Sequence, residues 1–258
     1  MSLQRTPAWF AAREGKLTCS TMGMALGINP WTSRIMHWKR LTGNAEPFTG
    51  NVATDWGTKQ EPVALEEYSY KLGNPLTEVG FVPHPYIPWI GGSPDGMIGD
   101  NGMIEMKCPF SKRLQETIPT HYYPQVNGLL EVTETEWCDF VSWTPEGMNV
   151  VRIKRNPEAF EWLLAKYKVF WEHVSKKQEP PKMSQLEKDT INAKIKEFID
   201  IDTMVLDISH TPDEVVVQHI DLDPRYKTVH FPKCHTDVFL PEVENFSKVL
   251  GKRKHESD

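Results

Sequence analysis

The chain has 258 residues, of which 39% are hydrophobic and 25% are charged. This length is sufficient for one large domain with its own core, and the composition is typical of a soluble globular protein. The longest apolar runs are only a few residues, which excludes a membrane-spanning helix of about 20 residues. The first residues contain no apolar signal-peptide segment and the four cysteines are scattered, so we expect an intracellular protein with free thiols.

The charge of the chain is unevenly distributed. The formal net charge of −6 alone would argue against a protein that binds DNA. Residues 1–182, however, carry 19 basic and 20 acidic side chains, so the acidity lies mainly in residues 183–258. A nearly neutral body with a local basic surface can still bind DNA, because only the contact surface must be positive.

The first third of the chain is predicted to be helical. Thr6, followed by a proline, is a typical helix start, and Ser20 and Ser33 are each expected to cap a further short helix. A longer helix should follow and end at Gly73. Pro62 lies inside that helix and is expected to kink or restart it.

Strand-like segments then alternate with helices. The segments with strand character are 76–82, 89–99, 103–108, 136–144 and 148–155, and those with helix character are 121–132 and 156–174. This order predicts a mixed sheet flanked by helices, in the α/β or α+β class.

A Pro- and Lys-rich stretch at 175–184 marks a domain boundary. We expect a main domain over residues 1–178, a C-terminal extension of unknown role over 179–250, and a disordered tail over 251–258. Within the extension, one helix is predicted near 184–199 and short strands are predicted at 213–222 and 227–232.

The segment GGSPDGMIGDNGMIEMKCPF places three charges in an apolar hairpin. If residues 100–102 form a three-residue loop ending in a left-handed glycine, Asp95 faces Lys107 and Met97 faces Glu105. The three charged side chains then share one face of the sheet. Two converging carboxylates suit Mg²⁺ or Mn²⁺, and a neighbouring lysine suits phosphodiester hydrolysis. The alternative is a structural cluster in which the charges only neutralise one another.

The hairpin also carries a family resemblance. The residues SPDG…IEMKCPF resemble the core motif of the lambda exonuclease-like, or YqaJ-type viral recombinase, family of the PD-(D/E)XK nucleases, whose relatives include viral alkaline nucleases. The segments WFAAREGKLTCS, WGTKQE and HYYPQVNGLLEV resemble three further motifs of this family, and the four motifs occur in family order. The resemblance implies a restriction-endonuclease-like core with a central mixed sheet, and it makes residues 1–178 the nuclease domain.

The resemblance implies a role for each matching position in a metal site. Asp95, Glu105 and the backbone carbonyl of Met106 would hold Mg²⁺, which Mn²⁺ could replace, and Glu61 would support a second ion. Lys107 would be the catalytic lysine. Gln125 would orient the nucleophile or the scissile phosphate.

A second group of matching positions would bind DNA. Arg13, Ser20 and Ser93 resemble the family's pocket for a terminal 5′-phosphate, and Tyr122 lies on the same helical face as Gln125. Each of these residues also has an ordinary structural interpretation: Arg13 as a surface side chain and Ser20 as a helix cap, for example. The four-motif match favours the functional roles.

The resemblance therefore predicts a Mg²⁺-dependent exonuclease that digests one strand of double-stranded DNA in the 5′–3′ direction from a 5′-phosphorylated end. Recombination or viral DNA processing would be its setting, in the host cytoplasm or nucleus if the chain is viral. The implied partners are double-stranded DNA ends and a single-strand annealing protein, with no membrane. The resemblance to the lambda type implies a trimer, and the resemblance to the alkaline nucleases implies a monomer as the alternative. The alternatives are an endonuclease of the same superfamily and a catalytically degenerate DNA-binding module.

Overall fold

The computed structural model describes residues 4–208 of the chain. The helices in this range are α1 (Pro7–Arg13), α2 (Met22–Ala25), α3 (Arg34–Leu41), α4 (Val52–Leu72), α5 (Tyr123–Thr133), α6 (Pro157–Ser175) and α7 (Gln185–Asp202). The strands are β1 (Leu17–Thr18), β2 (Leu76–Thr77), β3 (Val82–Pro83), β4 (Ile90–Gly92), β5 (Gly96–Ile98), β6 (Gly102–Lys107), β7 (Trp137–Thr144), β8 (Gly147–Lys154) and β9 (Thr203–Leu206).

The strands form two sheets. The larger has six strands in the order β2-β5-β6-β7-β8-β9, and the smaller has three in the order β1-β4-β3. In the larger sheet β6 and β7 run parallel, from the pair Gly102–Trp137 to the pair Lys107–Ser142, while the other neighbours are antiparallel. The sheet is therefore mixed, as predicted.

Helices cover both faces of the larger sheet. Alternate residues of its central strands, such as Met103 and Phe140, belong to a core that includes the buried side chains of α5, α6 and α7. The residues between them, such as Ile104 and Val141, pack in a second core with Ala64 and Tyr68 of α4. This arrangement confirms the predicted class of a mixed sheet flanked by helices.

The helix starts agree with the sequence in part. Thr6 and Ser33 cap α1 and α3 as predicted. Ser20 caps no helix: it lies in a 3₁₀ turn, and α2 starts at Met22 without a side-chain cap. Helix α4 runs through Pro62 from Val52 to Leu72. Both Pro62 and Thr58, whose carbonyl loses its N–H donor there, are exposed, so that water can replace the missing bond.

The hairpin register differs from the predicted one. Gly96 pairs with Ile104 and Ile98 pairs with Gly102, so the three-residue loop is 99–101 rather than 100–102. The left-handed glycine is Gly99, with φ of +55°, whereas Gly102 already belongs to β6. Each residue of β5 is therefore paired two positions away from its predicted partner on β6. Because side chains alternate between the two faces of a strand, a shift of two positions leaves every side chain on its predicted face. Asp95 therefore still lies on the face of Glu105 and Lys107.

The predicted domain boundary at residue 178 is also corrected. Helix α7 contributes Ile191, Ile195 and Phe198 to the main core, and β9 pairs with β8. The buried carboxylate of Asp202, at the end of α7, accepts hydrogen bonds from the Tyr123 hydroxyl and from the Asn156 amide. Residues 185–206 are thus part of the main domain, because their apolar face completes its core.

Several expectations lie outside residues 4–208. These include the short strands predicted at 213–222 and 227–232 and the tail over 251–258. Within the described residues, no helix combines the length and the apolar character that crossing a bilayer requires. The cysteines in this range, Cys19, Cys108 and Cys138, are buried free thiols, as predicted.

Candidate active site

A polar pocket lies where β6 ends, and its volume is about 210 Å³. Since one water molecule takes up roughly 30 Å³ in the liquid, the pocket has room for a phosphate group with a few waters or ions. Nine of the ten site residues proposed from the sequence line it: Arg13, Ser20, Glu61, Ser93, Asp95, Glu105, Met106, Lys107 and Gln125.

Glu105 is the centre of the pocket. Its side chain is only 2% exposed, on the face of β6 that meets α5. One carboxylate oxygen, Oε1, accepts hydrogen bonds from Lys107 Nζ at 2.5 Å and from Gln125 Nε2 at 2.5 Å. The other oxygen, Oε2, is buried and has no hydrogen-bond partner. A buried carboxylate oxygen without a partner is costly in free energy, so this atom is a strong candidate ligand for a cation.

Lys107 is held as a cation. Burial lowers its pKa, but the carboxylate of Glu105, the hydroxyl of Tyr122 and the carboxylate of Asp95 together raise the pKa above its ordinary value. Its ammonium group also lies 4.9 Å from the centre of the Tyr122 ring. Lys107 therefore carries its positive charge at neutral pH and can donate hydrogen bonds to an anion in the pocket.

Asp95 lies beside Glu105 at the start of β5. Its Oδ2 accepts a hydrogen bond from the backbone N–H of Met106 at 2.7 Å, which fixes the side chain against β6. Burial raises the pKa of Asp95 well above its ordinary value, and the nearby carboxylates of Glu105 and Glu61 raise it further. A bound cation would stabilise the carboxylate of Asp95 as an anion.

Glu61 approaches the same pocket from α4. Burial raises its pKa and the charge of Glu105 raises it further, while the guanidinium of Arg5 lowers it. Arg5 Nη2 lies 3.2 Å and 3.4 Å from the two carboxylate oxygens of Glu61. Helix α4 can place this residue at the pocket because it continues unbroken through Pro62.

The oxygen atoms in the pocket suit a hard cation that takes only a few of its ligands from the protein. Among residues 4–208, no group of three or more His, Cys, Asp and Glu side chains is arranged to hold a metal ion. Asp95, Glu105 and Met106 nevertheless line one pocket, and Glu105 Oε2 lacks a hydrogen-bond partner. Mg²⁺ commonly takes one or two protein carboxylates and completes its shell with water and phosphate oxygens. The residues present fit such an ion.

A second part of the pocket is lined with hydrogen-bond donors. The Trp9 indole N–H donates to Ser93 Oγ at 2.9 Å, and the guanidinium of Arg13 lies 4.0 Å from the centre of the Trp9 ring. Ser20 Oγ lies 3.2 Å from Thr18 Oγ1. Burial lowers the pKa of Arg13, which even so stays charged at neutral pH. This wall offers a fixed guanidinium and two hydroxyls, which suit a phosphate group.

Tyr122 is the one proposed residue that lies outside the pocket lining. Its ring packs on Phe140, with centroids 5.8 Å apart, and on His121, with centroids 4.2 Å apart. It therefore supports the ammonium of Lys107 from behind. The same cluster includes Trp31, which is 69% exposed, at 5.0 Å from the His121 ring.

The roles inferred from the motifs do not cover every residue of the pocket. Gln4, Arg5, Trp9, Thr18 and Gly92 also line it. The spacing of Trp9 and Arg13, four residues apart on α1, could have indicated a shared face. Gly92 has a packing reason, because a Cβ there would lie 2.6 Å from a Leu129 methyl group and 2.7 Å from Cys19 Sγ. Gln4 and Arg5 precede the first helix in a segment without a recognisable pattern.

Comparison with known proteins identifies the domain. The YqaJ-like viral recombinase domain model matches residues 8–136, which is half of the chain. The chain is 26% identical over 156 residues to uncharacterized protein R354 of Acanthamoeba polyphaga mimivirus, covering 54% of this chain and 28% of that protein. It is 26% identical over 164 residues to protein D345L of African swine fever virus (strain Badajoz 1971 Vero-adapted), covering 50% of this chain and 46% of that protein. The chain thus spans less than half the length of these curated relatives.

A solved structure covers more of the chain. The alkaline exonuclease LHK-Exo from Laribacter hongkongensis shares 29% identity, with a TM-score of 0.55 over 74% of this chain and 99% of that one. Its complex with dAMP gives a TM-score of 0.56 at the same identity and coverage. This likeness confirms the restriction-endonuclease-like core that the resemblance implied.

The matched range contains all four motifs and every residue of the pocket from Trp9 to Gln125. The fold, the order of the motifs and the family model agree with one another. The chain belongs to the YqaJ-like viral recombinase domain family, the lambda exonuclease-like group that its sequence resembles.

Proposed function

We propose that this protein is a Mg²⁺-dependent exonuclease that hydrolyses phosphodiester bonds of double-stranded DNA in the 5′–3′ direction from a 5′-phosphorylated end. The observation that carries the proposal is the buried Glu105 carboxylate, which is shared by Lys107 and Gln125 and has one oxygen free of hydrogen bonds. Membership of the family and the likeness to an alkaline exonuclease support a nuclease.

The carboxylates would hold the ion. Asp95, Glu105 and the Met106 carbonyl would bind Mg²⁺, or Mn²⁺ in its place, and Glu61 would help to bind a second ion. When bound, such ions supply a Lewis acid that stabilises negative charge on the reacting phosphate.

The side chains around the ion site have separate tasks. Lys107, kept protonated by its carboxylate neighbours, would donate hydrogen bonds to a phosphate oxygen as negative charge accumulates there. Gln125 would fix the orientation of Glu105 through the hydrogen bond from its amide group. Since both groups are held by buried contacts, little reorganisation is needed when the reaction occurs.

The opposite wall would select the DNA end. Arg13 and the hydroxyls of Ser20 and Ser93 would bind the terminal 5′-phosphate. The scissile bond would then lie over Glu105 and Lys107. The dAMP complex of the similar exonuclease supports a site for one nucleotide.

The proposed setting is DNA recombination or viral DNA processing. Relatives in two viruses support this setting. A single-strand annealing protein that receives the remaining strand is the proposed partner, and the active assembly is a trimer or a monomer.

The first test uses linear duplex DNA labelled at a 5′-phosphorylated end, beside a covalently closed circle. We expect the protein to release mononucleotides from the linear DNA only when Mg²⁺ is present, and Lys107→Ala to reduce the rate by about 100-fold or more, because a charged donor to the transition state is lost. The Lys16→Gln variant serves as a control, since Lys16 bonds the Pro88 carbonyl outside the pocket.

Three results would contradict parts of this proposal. Equal cleavage of the circle would remove the role of the phosphate-binding wall and indicate an endonuclease. Equal rates with 5′-hydroxyl and 5′-phosphate ends would show that the wall does not bind the terminal phosphate, while leaving the proposed phosphodiester hydrolysis unchanged. DNA binding without cleavage in Mg²⁺ or Mn²⁺ would indicate a degenerate binding module.

A further inference from the structure

The chain before α1 is fixed against the pocket by its backbone and by Gln4. The Gln4 amide donates hydrogen bonds to the carbonyls of Val79, at 3.2 Å, and Pro94, at 2.8 Å. The next residue, Arg5, has a left-handed backbone conformation with φ of +63°. A non-glycine residue in this conformation costs free energy and persists where surrounding contacts hold it. These contacts direct the Arg5 side chain towards Glu61.

The pocket contains three carboxylates, and two of its cations, Lys107 and Arg5, pair with carboxylates but differ in how far they are enclosed. Lys107 pairs with Glu105 and is 22% exposed, with Glu105 and the Tyr122 ring on two sides. Arg5 pairs with Glu61 through one guanidinium nitrogen, and its side chain is 48% exposed. The Lys107 charge is therefore enclosed by the protein, whereas the Arg5 charge can leave Glu61 by side-chain rotation alone.

Arg5 is bonded to the carboxylate of Glu61, which a second ion would need as a ligand. A guanidinium and a divalent cation on the same carboxylate repel each other, and the low dielectric of a partly enclosed pocket strengthens this repulsion. A displaced guanidinium would still belong to a residue that lines the pocket, and it could form two hydrogen bonds to phosphate oxygens there.

We propose that Arg5 is an exchangeable counter-ion. It neutralises Glu61 in the absence of metal, leaves Glu61 when a divalent ion binds, and then binds the backbone phosphate of the incoming DNA. Ion binding and DNA binding are thereby coupled through one side chain. This inference rests on the proposed function, and it adds a positioning residue and a link between the two ligands.

The first readout is ion binding without DNA or turnover. Free Mn²⁺ is measured by its electron paramagnetic resonance signal for the wild type, Arg5→Gln, Arg5→Lys and the control Lys16→Gln. Arg5→Gln removes one like charge from the ion site, so we expect Mn²⁺ affinity to rise about five- to tenfold. The Mn²⁺ affinities of Arg5→Lys and Lys16→Gln should stay within about twofold of the wild type, because both variants keep a positively charged side chain beside the Glu61 carboxylate.

The second readout is DNA binding under non-cleaving conditions. A 5′-phosphorylated duplex is titrated in Ca²⁺ and, separately, in a chelator. Arg5→Gln should lose affinity for DNA about fivefold in Ca²⁺, where the guanidinium is free to contact phosphate, and less than twofold in chelator, where it stays on Glu61. Thermal unfolding of each variant checks that the fold is intact.

Two outcomes would overturn the exchange. One is wild-type Mn²⁺ affinity in Arg5→Gln; the other is an equal loss of DNA affinity with and without Ca²⁺, which would make Arg5 a permanent DNA contact. If the wild type cleaves DNA normally while either outcome is observed, the proposed function stands and only the exchange is lost. If the wild type binds no Mn²⁺ at all, the ion requirement falls and the exchange falls with it.

Discussion

Two glycines determine how three charged side chains reach one face of the β5–β6 hairpin. Gly99 supplies the left-handed residue of the loop and has nothing within 4 Å of the position of a Cβ. Gly102 opens β6 opposite Trp137, and a Cβ there would overlap the indole ring. That ring cannot move freely, because the guanidinium of Arg152 lies 3.7 Å from its centre and is bonded to the buried Asp139.

Alanine at these two glycines should therefore have different costs. Gly99→Ala introduces only backbone strain, about 1 kcal/mol of unfolding free energy. Gly102→Ala introduces an overlap that the indole cannot relieve, about 3 kcal/mol. Urea unfolding of both variants measures the difference, and a cost at Gly99 equal to or above that at Gly102 would contradict the observed register.

The site was predictable from the sequence as far as local patterns reach. Asp95, Glu105 and Lys107 share a face whenever the hairpin loop contains an odd number of residues. The predicted loop, 100–102, and the observed loop, 99–101, both contain three. The choice between them depends on Trp137, which is distant in sequence and so cannot be read from the hairpin alone. Arg5 was not predictable, because its role comes from a backbone conformation and from contacts with Glu61.

At the scale of elements, α7 shows why a linker in the sequence does not always end a domain. The residues before it are rich in proline and lysine, and most of them are exposed, although Pro180 is buried. Helix α7 then returns its apolar face to the core, and its Asn192 accepts a hydrogen bond from the Thr120 hydroxyl at 2.7 Å. Thr120 lies shortly before α5, the helix that carries Gln125. Composition identifies a connection, but only packing shows whether the next helix belongs to the same domain.

Truncation at two positions tests whether the domain ends before α7 or includes it. A chain ending after residue 208 keeps α7 and β9, so we expect its melting temperature to stay within a few degrees of that of the full chain. A chain ending after residue 183 loses the core contacts of Ile191, Ile195 and Phe198. Each buried large apolar side chain contributes about 2–5 kcal/mol, so this chain should bind a hydrophobic dye and lose its cooperative thermal transition. A cooperative transition in the shorter chain would restore the boundary at 178.

For the whole molecule, buried histidines link stability to pH. His37 is 4% exposed and its ring is stacked on that of Phe170, with centroids 5.5 Å apart. Burial, and to a smaller extent the charge of Arg40, lowers the pKa of His37 to about 4. The unfolded chain thus binds a proton near the ordinary pKa of about 6.5 while the folded chain does not, so stability is lost as the pH falls from 6.5 towards 4.

The variant His37→Phe isolates this contribution. Asp95 and Glu61 have raised pKa values and act in the opposite direction, because the folded state binds their protons more readily, so total stability alone does not separate the terms. When the pH falls from 7 to 4.5, the unfolding free energy of His37→Phe should therefore increase relative to that of the wild type by about 1–3 kcal/mol. Urea unfolding at the two pH values measures this gain, and parallel pH profiles would show that His37 does not titrate on unfolding.

The parallel pairing of β6 and β7 has a consequence for the order in which the protein folds during its synthesis. Strands β5 and β6 can pair as soon as both have left the ribosome, but β6 lacks its other neighbour until residues 137–144 have been made. Until then Glu105 and Lys107 lie on an open sheet edge in contact with water. The later arrival of α5 and β7 removes that water, so the energetic cost of burying the charges falls on the step in which these two elements pack against β6. A nascent chain shorter than this point contains every carboxylate of the site but lacks the strand that covers the open edge of β6.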